Sequence, residues 1–198
     1  MERSQKGYRG TCLVFTDSKQ AEPPRGGGGF LFETDVAANE AACARASLTW
    51  GAGEPGRFTC SGVLTDFGMK ATSALGFCAD RLCSVELRAE PRGSTTAEWR
   101  DELRALRKAL EQKYGRPSGQ EGAEPPDCAP DPTPCAESAR FARTIRWRWS
   151  SGERIDLVLA VTQTREGDIV RRSPELLLSY RKEAPLPPAV PRLKSEGL

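Results

Sequence analysis

Hydrophobic positions recur along this chain with two periods, and the clearest run has the helical one. Trp99, Leu103, Leu106, Leu110 and Tyr114 fall in one stripe of a helix, while Arg100, Arg104, Arg107, Lys108 and Glu111 fall on the opposite face. Thr95 and Glu98, three apart ahead of the stripe, predict a capping box. Lys113, Gly115 and Pro117 supply a basic last turn, a left-handed residue after the helix and a stop. A second, alanine-rich helix is predicted from Asp35 to about Ala46, with Thr34 as N-cap and Val36, Ala42, Cys43 and Ala46 facing inward.

The other period is two. Phe30 and Phe32 share a face, and Trp50 ends a strand before the glycines and proline at 51, 53, 55 and 56. A strand follows over Arg57 to Leu64. Lys70 to Glu90 reads as a hairpin whose two loop residues are Asp80 and Arg81, which sets Cys78 opposite Cys83. Ile145, Trp147 and Trp149 alternate with Arg146 and Arg148; Ile155, Leu157, Leu159 and Val161 then mark the inner face of a second strand, and Leu176, Leu178 and Tyr180 a last one. Helix then strands, twice over, predicts an α+β fold: an antiparallel meander sheet covered by two helices, dividing into two helix-then-strands halves.

Composition sets the boundaries. Residues 1–29 are polar, end in Pro23-Pro24-Arg25 and four glycines, and are expected as a tail or linker, with at most a short strand at Leu13 to Phe15. Residues 30–183 form a single domain, with halves of about 30–92 and 93–183. Residues 116–139, rich in proline, glycine and acid, read as a long surface loop pinned by a disulfide, and the prolines from 185 onward as a C-terminal tail over 184–198.

Charge and the cysteines narrow the chemistry. The formal net charge is only +2, which argues against nucleic acid as the default partner. Residues 140–198 nevertheless carry 12 Lys/Arg against 7 Asp/Glu, and Arg140, Arg143, Arg146 and Arg148 form a candidate basic face. Alternation puts Trp147 and Trp149 on the side away from Arg146 and Arg148, so core aromatics beneath a solvated basic face explain the pattern better than a stacking platform for single strands. The chain has no histidine, which removes Ser-His and Cys-His mechanisms. Arginine, alanine, glycine and proline usage hints at a GC-rich bacterial source.

Seven cysteines stand at 12, 43, 60, 78, 83, 128 and 135. The simplest scheme is three local staples, Cys43 with Cys60, Cys78 with Cys83 and Cys128 with Cys135, leaving Cys12 spare; six cysteines allow 15 pairings. A four-thiolate metal site of Cys78, Cys83, Cys128 and Cys135 is the alternative, but intervals of four and six intervening residues do not suit a zinc knuckle, so no metal or other cofactor is expected. Staples point to an oxidising compartment, periplasmic or secreted, although no apolar stretch of export-signal or membrane-span length precedes residue 30; a cytoplasmic protein with reduced thiols is the alternative.

Gly29-Phe30-Leu31-Phe32 running into a Cys-bearing alanine helix, Phe58-Thr59-Cys60-Ser61-Gly62, Phe77-Cys78 with Leu82-Cys83, and Lys113-Tyr114-Gly115-Arg116-Pro117 together resemble uncharacterised exported proteins of myxobacterial type, over residues 29–182. The helix-then-meander order is similar to the tandem modules of β-lactamase-inhibitor-like and small outer-membrane lipoprotein A folds. The resemblance implies an exported or cell-envelope module that binds a protein partner without catalysis, and it carries over no functional residue. Two alternatives remain at this level: an enzyme working through carboxylates such as Asp101/Glu102 or Glu153 with Asp156, and a basic-face binder of an acidic polymer or membrane surface.

Overall fold

In the computed structural model, residues 21–66, 69–127, 137–167 and 169–183 are described. A short hairpin, β1 (Gly26–Gly27) and β2 (Phe30–Leu31), precedes helix α1 (Val36–Arg45). A four-strand meander follows: β3 (Thr49–Ala52), β4 (Arg57–Asp66), β5 (Met69–Cys78) and β6 (Arg81–Ala89). Helix α2 (Thr96–Tyr114) then opens a second meander, β7 (Gly119–Gly122), β8 (Ala139–Arg148), β9 (Glu153–Glu166) and β10 (Ile169–Lys182).

The two meanders merge into one eight-stranded antiparallel sheet of order β3-β4-β5-β6-β10-β9-β8-β7. Each half is a helix followed by four strands, and the second runs in mirror order from the β6–β10 seam, so the expected two-half organisation is built into a single sheet. The fold is α+β with an antiparallel meander, as the alternating pattern predicts.

Strand register shows which side chains share a face. One row crosses all eight strands as Trp50, Cys60, Ser73, Leu87, Leu178, Leu157, Ile145 and Gln120. Both helices lie on this face: the Cys43–Cys60 disulfide ties α1 to it, and on α2 Trp99 stacks beneath Arg172 with 5.4 Å between guanidinium carbon and ring centroid. Leu87, Leu178 and Leu157 are fully buried there with Leu103, Leu106 and Leu110 of α2, each such side chain contributing about 1.5–3 kcal/mol through burial. Trp147 is buried on the same side and donates from Nε1 to the Gly115 carbonyl at 2.8 Å, fixing the end of α2 over β8.

The predicted stripe of α2 is buried at every position, and its capping box forms with Thr95 and Glu98. Three local expectations change. The N-cap of α1 is Asp35, whose side chain accepts from Ala38 N–H, and the buried residues of that helix are Asn39 and Cys43. Thr34 faces into the turn instead, accepting from the Asn39 side chain, while Ala46 is exposed and Val36 half-buried.

In the β5–β6 hairpin the loop residues are Ala79 and Asp80, both left-handed at φ 47° and 62°. Cys78 therefore faces Arg81. A bulge between Gly76 and Phe77 makes up the offset, so that Cys83 still reaches Cys78 across a Cα separation of 5.7 Å.

The stretch 116–139 is not loop throughout, because β7 pairs with β8 as Gly119 with Arg146 through Gly122 with Arg143. Residues 21–29, read from composition as linker, are part of the fold from Ala21 onward: Trp149 donates to the Ala21 carbonyl at 2.8 Å, and β1 packs on β10.

Two of the three predicted staples are formed, Cys43–Cys60 and Cys78–Cys83. Cys12, Cys128 and Cys135 lie outside the described residues. Formed disulfides point to an oxidising compartment. Among the described residues no helix is long and apolar enough to cross a membrane.

Candidate functional site

Among the described residues, both helices lie on one side of the sheet and leave the other, bare side without one. Across the bare side a second row runs strand by strand as Gly51, Thr59, Ala74, Glu86, Ser179, Asp156, Arg146 and Gly119. The next row is Thr72, Arg88, Leu177, Val158, Thr144 and Glu121. Small residues alternate with long charged ones, which is the pattern of a solvated sheet face rather than of a second core.

Much of this face is nevertheless withdrawn from water. Asp156 and Ser179 are buried at 5% and 2% exposure, and Leu177, Val158, Thr144 and Glu86 are half-buried, although no helix lies over them. A trough of about 760 Å³ crosses the face from Gly62 on β4 to Arg140 on β8, and a second of about 440 Å³ lies between Arg57 and Arg181.

Charge on the face is organised as a chain of clasps. Asp156 accepts from Arg146 Nε and Arg154 Nε, each at 2.6 Å, and Arg146 also donates to Glu121 at 2.7 Å. Across the seam Arg181 of β10 reaches Glu86 of β6 at 3.1 Å, besides the Ser179 hydroxyl at 3.1 Å on its own strand, while Arg88 of β6 meets Glu86 and, across the seam, Glu175, each at 3.4 Å. The Asp156 hydrogen bond raises the pKa of Arg146 above that of an ordinary guanidinium, so this cation is fixed.

The sequence-derived candidates separate under this geometry. Arg140, Arg146 and Arg148 project from the bare face, but Arg143 pairs with Leu159 on the helix-side face and donates to the Gly122 carbonyl at 3.0 Å and to Gln120 at 2.7 Å. Strand alternation sends 143 to the opposite side from 140, 146 and 148, so the four arginines do not share one face. Arg146 is also neutralised by two carboxylates.

Of the carboxylate pairs, Asp101 binds Arg104 on exposed helix surface, and Glu102 holds Arg92. Glu153, buried at 8%, accepts from Ser151 and faces the helix side, whereas Asp156 faces the bare side; the two do not converge on one cleft. Cys78 and Cys83, half of the alternative thiolate site, are oxidised to each other. Among the described residues no group of three metal-ligating side chains gathers in one place.

Ser179, Leu177 and Glu86 drew no notice in the sequence, and Asp156 stood there only as a possible partner of Glu153. Their only signal is position: each sits between inward-facing apolar residues on a strand, and only the pairing of β6 with β10 brings the four together. No protein-family model, curated protein or solved structure matches the chain.

Proposed function

We propose that this protein is a non-catalytic exported module, periplasmic or secreted, that binds a protein partner through the bare face of its eight-stranded sheet. One observation carries the reading: among the described residues a face spanning both halves has no helix over it, yet it holds half-buried Leu177 and Val158 in a frame of ordered, mutually paired charges. Apolar residues at the centre, with charged groups already held in place around them, are the anatomy of a protein-binding surface. Side chains fixed by clasps also lose little freedom when a partner docks, which reduces the cost of association.

The two disulfides supply the rigidity and the compartment that such a module needs. The resemblance to tandem helix-and-meander modules that bind other proteins leads to the same reading.

The test is capture from the native envelope with the folded chain, followed by cross-linking and mapping of the contacts. The wild type is expected to retain a partner cross-linked to β6, β10 and β9 on the bare side, and Leu177→Arg to lose it with its melting transition unchanged. Equal capture by Leu177→Arg, or cross-links confined to α1 and α2, would overturn the proposal.

A further inference from the structure

One strand of the sheet stops short of its neighbours. Beyond Ala89 the chain leaves the sheet at Glu90, and Pro91 is buried. On one side β5 runs on to Met69, paired there only to β4; on the other β10 extends from Leu176 back to Ile169, paired there only to β9. Among the described residues, Ile169–Glu175 of β10 thus has no strand on its β6 side. Seven residues of strand make a free edge about 24 Å long.

The larger trough opens along this edge. Lys70 and Thr72 form one wall, Ser173 and Glu175 the other, and Arg88 lies between them. Natural sheets blunt exposed edges, and Pro174 does so at one position, where a strand residue without an N–H is tolerated. Arg172 is turned to the helix side, where it donates to Thr96 and to the Pro126 carbonyl, so its charge is directed away from the trough. Ile169, at its outer end, is 60% exposed, a large apolar side chain that a strand laid beside β10 would help to cover.

Charge around the opening has a sign. Lys70 and Arg140 line the trough without an ion-pair partner among the described residues, against the one unpaired carboxylate of Glu90; Glu175 is already held by Arg88 at 3.4 Å. The described chain enters and leaves at the other end of the strands, where Trp149 holds the Ala21 carbonyl and Glu183 N–H donates to Gly152 at 3.0 Å. Ala21 and Glu183 themselves thus lie at the opposite end of the strands from the opening.

We infer that the free edge of β10, Ile169–Glu175, is a strand-pairing site for an extended acidic segment of a partner protein. Backbone hydrogen bonds to the edge give the affinity, and carboxylates on alternate residues meet Lys70 and Arg140 across the trough. The inference rests on the reading of the bare face as a partner surface and names how part of that partner is held.

The probe is a capped ten-residue peptide alternating valine with glutamate, titrated into the full chain, with amide hydrogen exchange as the readout. Expected are slowed exchange within 169–175, at least tenfold weaker binding of a copy N-methylated on the residues of either peptide edge that pairs, and at least tenfold weaker binding of a valine-lysine copy. Lys70→Glu combined with Arg140→Glu, both at exposed positions, should reverse the preference between the two peptides. No binding at millimolar peptide, indifference to N-methylation on both edges, an unchanged preference in the double variant, or protection away from β10 would each overturn it. If the peptide fails while Leu177→Arg still abolishes capture of the native partner, strand pairing falls and the binding face stands.

Discussion

Gly27 lies flat against the ring of Tyr180: a β-carbon on the glycine would come within 2.2 Å of ring atom Cδ2. Tyr180 is itself buried at 1% exposure on the helix side of β10. The glycine run is thus a fitted piece of the fold, and its lack of side chains is what lets backbone approach an aromatic so closely. Gly27→Ala should cost about 1–3 kcal/mol, the range for overpacking, read as a lower urea midpoint. A midpoint equal to wild type would show that the β1–β2 hairpin can lift away freely.

The stripe of α2 makes a stronger demand. Trp99 and Leu106 are each 4% exposed, so Trp99→Ala or Leu106→Ala should destabilise by roughly 2–5 kcal/mol in denaturant melts. A loss below about half a kcal/mol, the range of surface changes, would contradict their place in the core.

The disulfides should rank by the length of chain they close. Cys43–Cys60 spans 17 residues and Cys78–Cys83 spans 5, so on the chain-entropy relation their removal should cost about 3 and about 2 kcal/mol respectively. Paired Cys→Ser variants compared by thermal unfolding test the order, and the reverse order would show that hairpin geometry matters more than loop closure.

Asp156 balances two arginines at once. Asp156→Asn should cost roughly 1.5–3 kcal/mol, since Arg146 and Arg154 each lose a charge-assisted hydrogen bond at a position only 21–22% exposed. The expected signature beyond stability is greater mobility of both guanidinium groups, visible as faster side-chain exchange by NMR. Unchanged stability and mobility would mean that the clasp is ornamental.

Acid should act through Glu98. Its carboxylate accepts from the Ser94 and Thr95 amides and the Thr95 hydroxyl, with the Ser94 amide the largest influence, and these bonds hold its pKa below the ordinary 4.5. A depressed folded-state pKa adds stability that is fully present above the unfolded value and is lost as pH falls through the folded one. The melting temperature should therefore drop as pH is lowered below about 4.5, and Glu98→Gln should lie lower at neutral pH and flatten that part of the profile. Parallel profiles for variant and wild type would refute the assignment.

Sequence carried the elements better than their meeting places. The α2 stripe, its cap, and the alternation of Ile145, Trp147, Ile155 and Leu157 were legible because each is a local repeat with one physical cause. The loop residues of the β5–β6 hairpin were misplaced by one, because a bulge shifts register without leaving a mark in composition. β7 was missed since Gly-Gln-Glu-Gly has no strand propensity of its own and is held by β8. Of the bare face only the outward arginines of β8 could be read: Asp156 and Ser179 become neighbours only through a pairing of strands, and polar residues between apolar ones look alike whether or not they gather.

The seam between β6 and β10 bears on how the chain comes to be folded. Strands β3 to β6 can assemble as soon as they emerge, but β10 is the last of the described strands to be made. Until it arrives, the β6 edge carrying Val85 and Leu87 stands open to any other strand nearby. If the chain is exported as proposed, it meets that hazard with cysteines still reduced, and the newborn protein should then depend on dilution or a chaperone up to the moment the β9–β10 hairpin docks.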